Sequence, residues 1–212
     1  MKAIFDNTSY EASKLITKRY STSFSLGIQL FDSSIRPAIY AIYGFVRYAD
    51  EIVDTFLNYP QEILLDEFEQ EYHKAIERKI SLNPILNSFQ EVVLKYDLQD
   101  YVLSFLKSMR QDLHQTVYNT QKEYEEYIYG SADVVGLMCL RIFVNNNEEK
   151  FKELKPYAMK LGSAFQKVNF LRDLKDDLEG LERSYFPNLS SLPMNKQTKE
   201  EIIADIQNDF KE

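Results

Sequence analysis

Apolar residues recur at three- and four-residue spacings along nearly the whole chain, and no stretch alternates polar and apolar as a half-buried strand would. Glycine and proline, the residues that interrupt helices, number only 6 each in 212 residues, so the pattern reads as all-α. It predicts helices over 8–19, 35–57, 61–78, 84–96, 99–115, 121–144, 150–182 and 198–210. Asn58-Tyr59-Pro60, Ser81-Leu82-Asn83-Pro84 and Asn145-Asn146-Asn147 supply the turn and capping chemistry between them. Pro187 and Pro193 mark an irregular stretch after the longest helix. With no repeat of fixed period and no Gly/Ser linker, the expectation is a single domain over 1–212, a helical bundle. The last segment places Ile202, Ile203, Ile206 and Phe210 on one side, as if further packing partners followed, so the bundle is expected to be incomplete at its C-terminal end.

Two of these helices carry acidic stripes. In residues 40–54 (YAIYGFVRYADEIVD), a rotation of about 100° per residue puts Tyr43, Arg47, Asp50 and Asp54 on one narrow face and Glu51 to its side. In residues 166–177 (QKVNFLRDLKDD), Gln166, Asn169, Asp173 and Asp177 share a face flanked by Arg172 and Asp176. Like charges at i and i+4 cost a helix a few tenths of a kcal/mol, so helix stability explains neither cluster. A solvated face would explain either alone. Each stripe, however, continues into uncharged residues suited to an interior: Tyr43 and Ile39 on one, Asn169, Gln166 and Gly162 on the other. The expectation is that the stripes face one another across a central cavity. Carboxylates so placed form a hard-oxygen site for magnesium, which keeps waters and bridges to substrate phosphates. Arg47 and Arg172 would then hold diphosphate oxygens.

Composition narrows the alternatives. A net charge of −8 lacks the basic face that nucleic acid requires. The single cysteine, Cys139, allows no internal disulfide and fits a reducing, cytoplasmic setting. The N-terminus has no apolar signal core, and the longest apolar stretch, 134–144, is interrupted by Arg141 and too short to span a bilayer. Other metals fail on spacing. A di-iron bundle needs Glu three residues before His, whereas Gln70 and Gln111 precede His73 and His114, and zinc and EF-hand patterns are absent. Fifteen Tyr and 14 Phe without Trp suit either a core or an apolar tunnel.

Four blocks, in order, resemble the squalene and phytoene synthase family. Ser21-Thr22-Ser23-Phe24 is similar to its N-terminal Ser-x-Ser-Phe element, and residues 40–54 to its first aspartate-rich motif. Residues 127–136 (YIYGSADVVG) are similar to its Tyr-x-Tyr…Ala-Gly-x-Val-Gly stretch. Residues 169–177, continuing to Arg183-Ser184-Tyr185-Phe186-Pro187, are similar to the second aspartate-rich motif and its tail. The resemblance runs from about 20 to 187 and is closest to the bacterial phytoene synthases. It implies the isoprenoid synthase type of helical bundle with a central active-site cavity. Asp50, Asp54, Asp173 and Asp177 would bind magnesium, or manganese in its place, with Glu51 and Asp176 in second rank. Arg47, Arg172 and Asn169 would contact diphosphate. Ser23, Phe24, Tyr43, Tyr127 and Gln166 match pocket positions, and Val134, Val135, Gly136 and Gly162 match tunnel wall. Two positions depart from the pattern: Tyr20 stands where many relatives carry His, and Asp133 replaces a Gly.

The implied reaction joins two allylic prenyl diphosphates head to head through a cyclopropyl diphosphate, and geranylgeranyl diphosphate would give phytoene after proton loss. Aromatic faces would shelter the cation, by about 0.5–2 kcal/mol each. A squalene-type product needs hydride from NADPH. No Gly-rich dinucleotide fingerprint appears, which leans towards the redox-free product. Squalene or dehydrosqualene synthesis from farnesyl diphosphate, head-to-tail transfer, and a non-catalytic assembly role stay open as alternatives. Peripheral contact with a membrane would serve product release. Gly44, Gly130, Ser131, Ala132, Gly136, Gly162, Ser163 and Ala164 near these motifs either leave room for long prenyl tails or permit close helix packing.

Overall fold

The computed structural model describes residues 1–180, 183–187 and 196–211, without the side chains of 176, 177, 179 and 180. Pro193 lies outside the described residues. Among them the fold is all-α, and the single β-bridge joins Val117 and Ser184. Two compact units form, Met1–Asp100 with Arg141–Asn147, and Tyr101–Leu140 with Glu148–Glu212. No helix among the described residues is long and apolar enough to cross a membrane.

The first unit holds α1 (Lys2–Tyr20), α2 (Thr22–Gln29), α3 (Arg36–Asp50), α4 (Gln61–Arg78) and α5 (Pro84–Tyr96). Helix α1 starts six residues earlier than the apolar spacing predicts because its inner face is polar. Ser9, Ser13 and Thr17, spaced by four, are buried. Ser13 Oγ lies 2.8 Å from Ser88 Oγ, and Asn87 Nδ2 donates to Ser9 Oγ at 3.1 Å. Small hydroxyl residues let helices approach, and each buried hydroxyl keeps a partner. Gly44 completes this contact: a β-carbon there would meet Ser13 Oγ at 3.1 Å. Helix α2 was not expected at all. Ser21 caps it by accepting from the Phe24 backbone N–H at 3.1 Å, satisfying a donor that the first turn leaves free. Farther in, Phe45 stacks on Phe89 at 4.0 Å and on Phe68 at 5.2 Å, so much of the aromatic content here is core.

Helix α6 (Gln99–Asp112) leads into the second unit, followed by α7 (Gln121–Ile128), α8 (Val134–Phe143), α9 (Glu148–Gly180) and α10 (Lys196–Lys211). The run expected over 121–144 is one helical path widened by a π turn at Tyr129–Asp133. A second π turn, Glu51–Thr55, extends α3. Both fall inside the motif blocks, as π turns often do at functional positions. The small residues of this unit serve close approach. A β-carbon would lie 3.0 Å from the Ala158 carbonyl at Gly136, 3.1 Å from the Ala132 carbonyl at Gly162, and on top of Ser108 Oγ at Gly130.

Candidate functional site

The first acidic stripe is built where α3 passes into its π turn. Gln61, at the start of α4, donates its side-chain amide to the carbonyls of Ile52 and Val53 at 2.7 and 3.0 Å, which satisfies acceptors that a helix end exposes. Asp50 is half-buried and Asp54 exposed. Burial, and then the neighbouring Asp54 charge, push the Asp50 carboxyl up to about 7, with Arg47 opposing. Arg47 is committed elsewhere: it pairs with Glu51 one turn on, and its guanidinium lies over the Tyr20 ring, 4.7 Å from the centroid. Glu51, placed to the side by the helical wheel, is therefore the buried partner of Arg47. Tyr20, the residue that departs from the family pattern, supplies a cation–π platform. Tyr43 is half-buried, its hydroxyl raised by desolvation and its ring 5.8 Å from that of Phe24. Ser23 and Phe24 are exposed.

The second stripe lies on α9. Gln166 donates to Ser131 Oγ in the π turn at 3.4 Å, and Asn169 to Gln166 Oε1 at 3.5 Å, so the two amides form one polar line. Arg172 forks onto its neighbour Asp173 at 2.7 and 2.6 Å. The side chains of Asp176 and Asp177 lie outside the described residues.

Tyr127 sits apart from this line. It is 4% exposed, its hydroxyl donates to Asp112 Oδ2 at 2.8 Å, and burial holds that hydroxyl well above the ordinary tyrosine range. Tyr185 at 5.3 Å and Phe170 at 6.0 Å stack on it, and Tyr118 packs at a tilt at 4.7 Å. Backbone bonds between 116–118 and Ser184 fasten the RSYFP tail there, and Arg183 donates to the Asp112 carbonyl at 3.1 Å. Val134 belongs to the core. Asp112 and Tyr118 were not singled out from the sequence, and Arg183 entered only as part of the motif tail. Asp112 sits 15 positions before Tyr127, a separation with no helical period to reveal it. Asp133 is buried and accepts from Ser163 Oγ at 2.8 Å.

Among the described residues, no three carboxylate, imidazole or thiol groups are arranged to hold a metal ion. The chemistry of Asp50 and Asp54 nevertheless suits a divalent cation. Burial and the neighbouring Asp54 charge push Asp50 towards its neutral form, and a bound cation would favour its ionised form. Magnesium commonly binds through one or two carboxylates and completes its shell with water and phosphate. The surface depressions lined by Glu153, Pro156, Tyr157 and Lys160, and by Glu71, Lys74, Ala75 and Arg78 with residues 80–82, contain none of the candidate residues.

The squalene/phytoene synthase model matches residues 17–190. A phytoene synthase of Arthrospira platensis is 30% identical over 207 residues, 92% of this chain and 66% of that protein. A 15-cis-phytoene synthase of Enterobacter agglomerans is 31% identical over 199 residues, 89% of this chain and 64% of that protein. The chain thus spans a little under two thirds of the length of these relatives. Among solved structures, a dehydrosqualene synthase superposes with a TM-score of 0.83 at 23% identity, covering 97% of this chain and 76% of that one.

Proposed function

The chain belongs to the squalene/phytoene synthase family, and on that footing we propose that it joins two allylic prenyl diphosphates head to head, with geranylgeranyl diphosphate as substrate and phytoene as product. The observation that carries this reading is that each of two motifs sets carboxylates beside an arginine: Asp50 and Asp54 beside Arg47, and Asp173 beside Arg172. Relatives at about 30% identity that carry phytoene synthase names support the phytoene reading.

Asp50, Asp54, Asp173 and Asp177 would hold magnesium, which when bound neutralises charge on the departing diphosphate. Arg47 and Arg172 would add hydrogen bonds to diphosphate oxygens, and Asn169 and Gln166 would orient them. When the C1–O bond of the first substrate breaks, its electron pair leaves with diphosphate. The double bond of the second substrate attacks the resulting cation, and loss of a proton from the former C1 to the released diphosphate closes a cyclopropane. Loss of the second diphosphate, rearrangement and loss of a proton then give the olefin without NADPH. Asp50 must be ionised to bind a cation, so its elevated value couples activity to pH.

Head-to-head joining releases two diphosphates per product, and head-to-tail transfer releases one. The test is therefore the ratio of pyrophosphate released to prenyl product formed from geranylgeranyl diphosphate in magnesium, with and without isopentenyl diphosphate. A ratio of two, independent of isopentenyl diphosphate, is expected. A ratio of one that requires isopentenyl diphosphate would overturn the reading.

A further inference from the structure

Helix α9 carries Gln166, Asn169 and Asp173, and its apolar residues lie on two sides. Leu154, Tyr157, Leu161, Phe165 and Val168 form one stripe at three- and four-residue spacing and are all substantially exposed, while Phe170 is buried on Tyr185 at 4.1 Å with Leu171, Leu174 and Leu178 against the same cluster. With apolar residues on both sides, apolar burial, which is non-directional, sets the rotation of the helix loosely. Directional contacts sharpen it. The ion pairs on the side of α9 next to Gln166 have that property. Lys167 is 9% exposed at its side chain and lies 2.6 Å from both Asp205 Oδ2 and Asp209 Oδ2 of α10. Asp209, itself 5% exposed, also takes Lys160 at 3.0 Å. One turn from Lys160, Ser163 donates to Asp133 in the π turn, so α9 is pinned to α10 and to the π turn by polar bonds around the same turns.

Resting on the proposed function, we infer that Lys167 is a positioning residue for the diphosphate-binding face of α9. Held between Asp205 and Asp209, it fixes the rotation of the helix so that Gln166, Asn169 and Asp173 keep their side. Lys167 touches no substrate and acts through these neighbours. A buried ion pair stabilises little against an apolar replacement, but it specifies one arrangement.

K167M alone would leave buried Asp209 with Lys160 as its remaining partner, so the informative variant is K167M/D205N/D209N, which removes the three charges of the fork together, retains the volume and leaves Lys160, 44% exposed, to solvent. The probes are inorganic pyrophosphate with magnesium in a binding titration, and hydrogen exchange over 160–173. With a wild-type melting midpoint, the triple variant is expected to bind pyrophosphate at least about tenfold more weakly and to exchange faster. K167R, which keeps the charge, is expected to stay near wild type in both. In turnover, the triple variant should raise KM more than it lowers kcat. Unchanged binding and exchange in the triple variant would overturn the inference. Should the wild type itself bind no pyrophosphate, the diphosphate reading of α9 falls, and exchange alone decides on Lys167: faster exchange supports its positioning role, unchanged exchange refutes it. Should the triple variant not fold, D205N, which removes only the more exposed partner, is read in the same two assays.

Discussion

Arg172 grips Asp173 through two parallel bonds, Nε to Oδ1 at 2.7 Å and Nη2 to Oδ2 at 2.6 Å. In the other motif Arg47 meets Glu51 through Nη2 alone. In each stripe a positive group that the chemistry assigns to diphosphate is parked on a carboxylate of the same helix. The Arg172–Asp173 pair is substantially exposed, and such pairs contribute about 0–1 kcal/mol. Exchange is therefore cheap: under the proposed function, a cation arriving at Asp173 would displace Arg172 and turn it towards phosphate oxygens.

Replacing Asp173 or Asp54 with Asn should accordingly abolish magnesium-dependent turnover while leaving the thermal midpoint nearly unchanged, since neither carboxylate is buried. Parallel activity assays and melts check both halves. Near-normal turnover in either variant would remove that residue from the metal site.

Asp50 links stability to pH. Its folded value of about 7 lies above the ordinary 3.8, so its contribution to folding is fully present below about pH 4 and is lost as pH rises through 7. Asp50→Asn removes the titration. Without divalent cations, the variant and wild type should match at pH 4, and the variant should be more stable at pH 8, on the order of 1–3 kcal/mol. Urea denaturation at both pH values measures this, and equal stabilities at pH 8 would contradict it.

Tyr127→Phe takes the hydroxyl donor from Asp112, which is 4% exposed. Leaving a buried carboxylate short of a hydrogen bond costs about 2 kcal/mol, so the urea midpoint should fall with the slope unchanged. A midpoint within error of wild type would show that water replaces the lost donor.

Much of this architecture was legible in the sequence, because long helices with apolar periodicity announce themselves. Gln61–Arg78 and Pro84–Tyr96 match the expected bounds, α9 starts two residues before its expected start, and α10 differs by two residues or fewer at each end, while the expected end of α9 at 181–182 lies outside the described residues. What escaped was structure set by polar contacts. The face of α1 made of Ser9, Ser13 and Thr17 has no apolar period, and α2 depends on one capping hydroxyl. The π turns leave no compositional mark, since an i to i+5 bond uses the same residues as an i to i+4 bond. At the candidate site, the aspartates stood out by spacing. Tyr127's partner Asp112 and the Lys167 fork come together only through the fold.

Glycine positions separate two readings of the small residues. Gly162 leaves a β-carbon only 3.1 Å from the Ala132 carbonyl and the Asp133 Cα, and backbone cannot swing aside as a side chain can. Gly162→Leu should therefore destabilise the protein by about 1–3 kcal/mol or more through overpacking, seen as a lowered melting midpoint. A variant with an unchanged midpoint and an altered preference between C15 and C20 diphosphates would make Gly162 tunnel wall instead.

The most direct test of the central claim is the identity of the product. The chain is incubated with magnesium and either geranylgeranyl or farnesyl diphosphate, with and without NADPH, and the extracted hydrocarbon is analysed by mass spectrometry. The account predicts a C40 olefin with the mass of phytoene from geranylgeranyl diphosphate, formed equally with and without NADPH. A C30 hydrocarbon formed from farnesyl diphosphate only when NADPH is present would contradict the phytoene assignment, and no hydrocarbon from either substrate would contradict the head-to-head reaction itself.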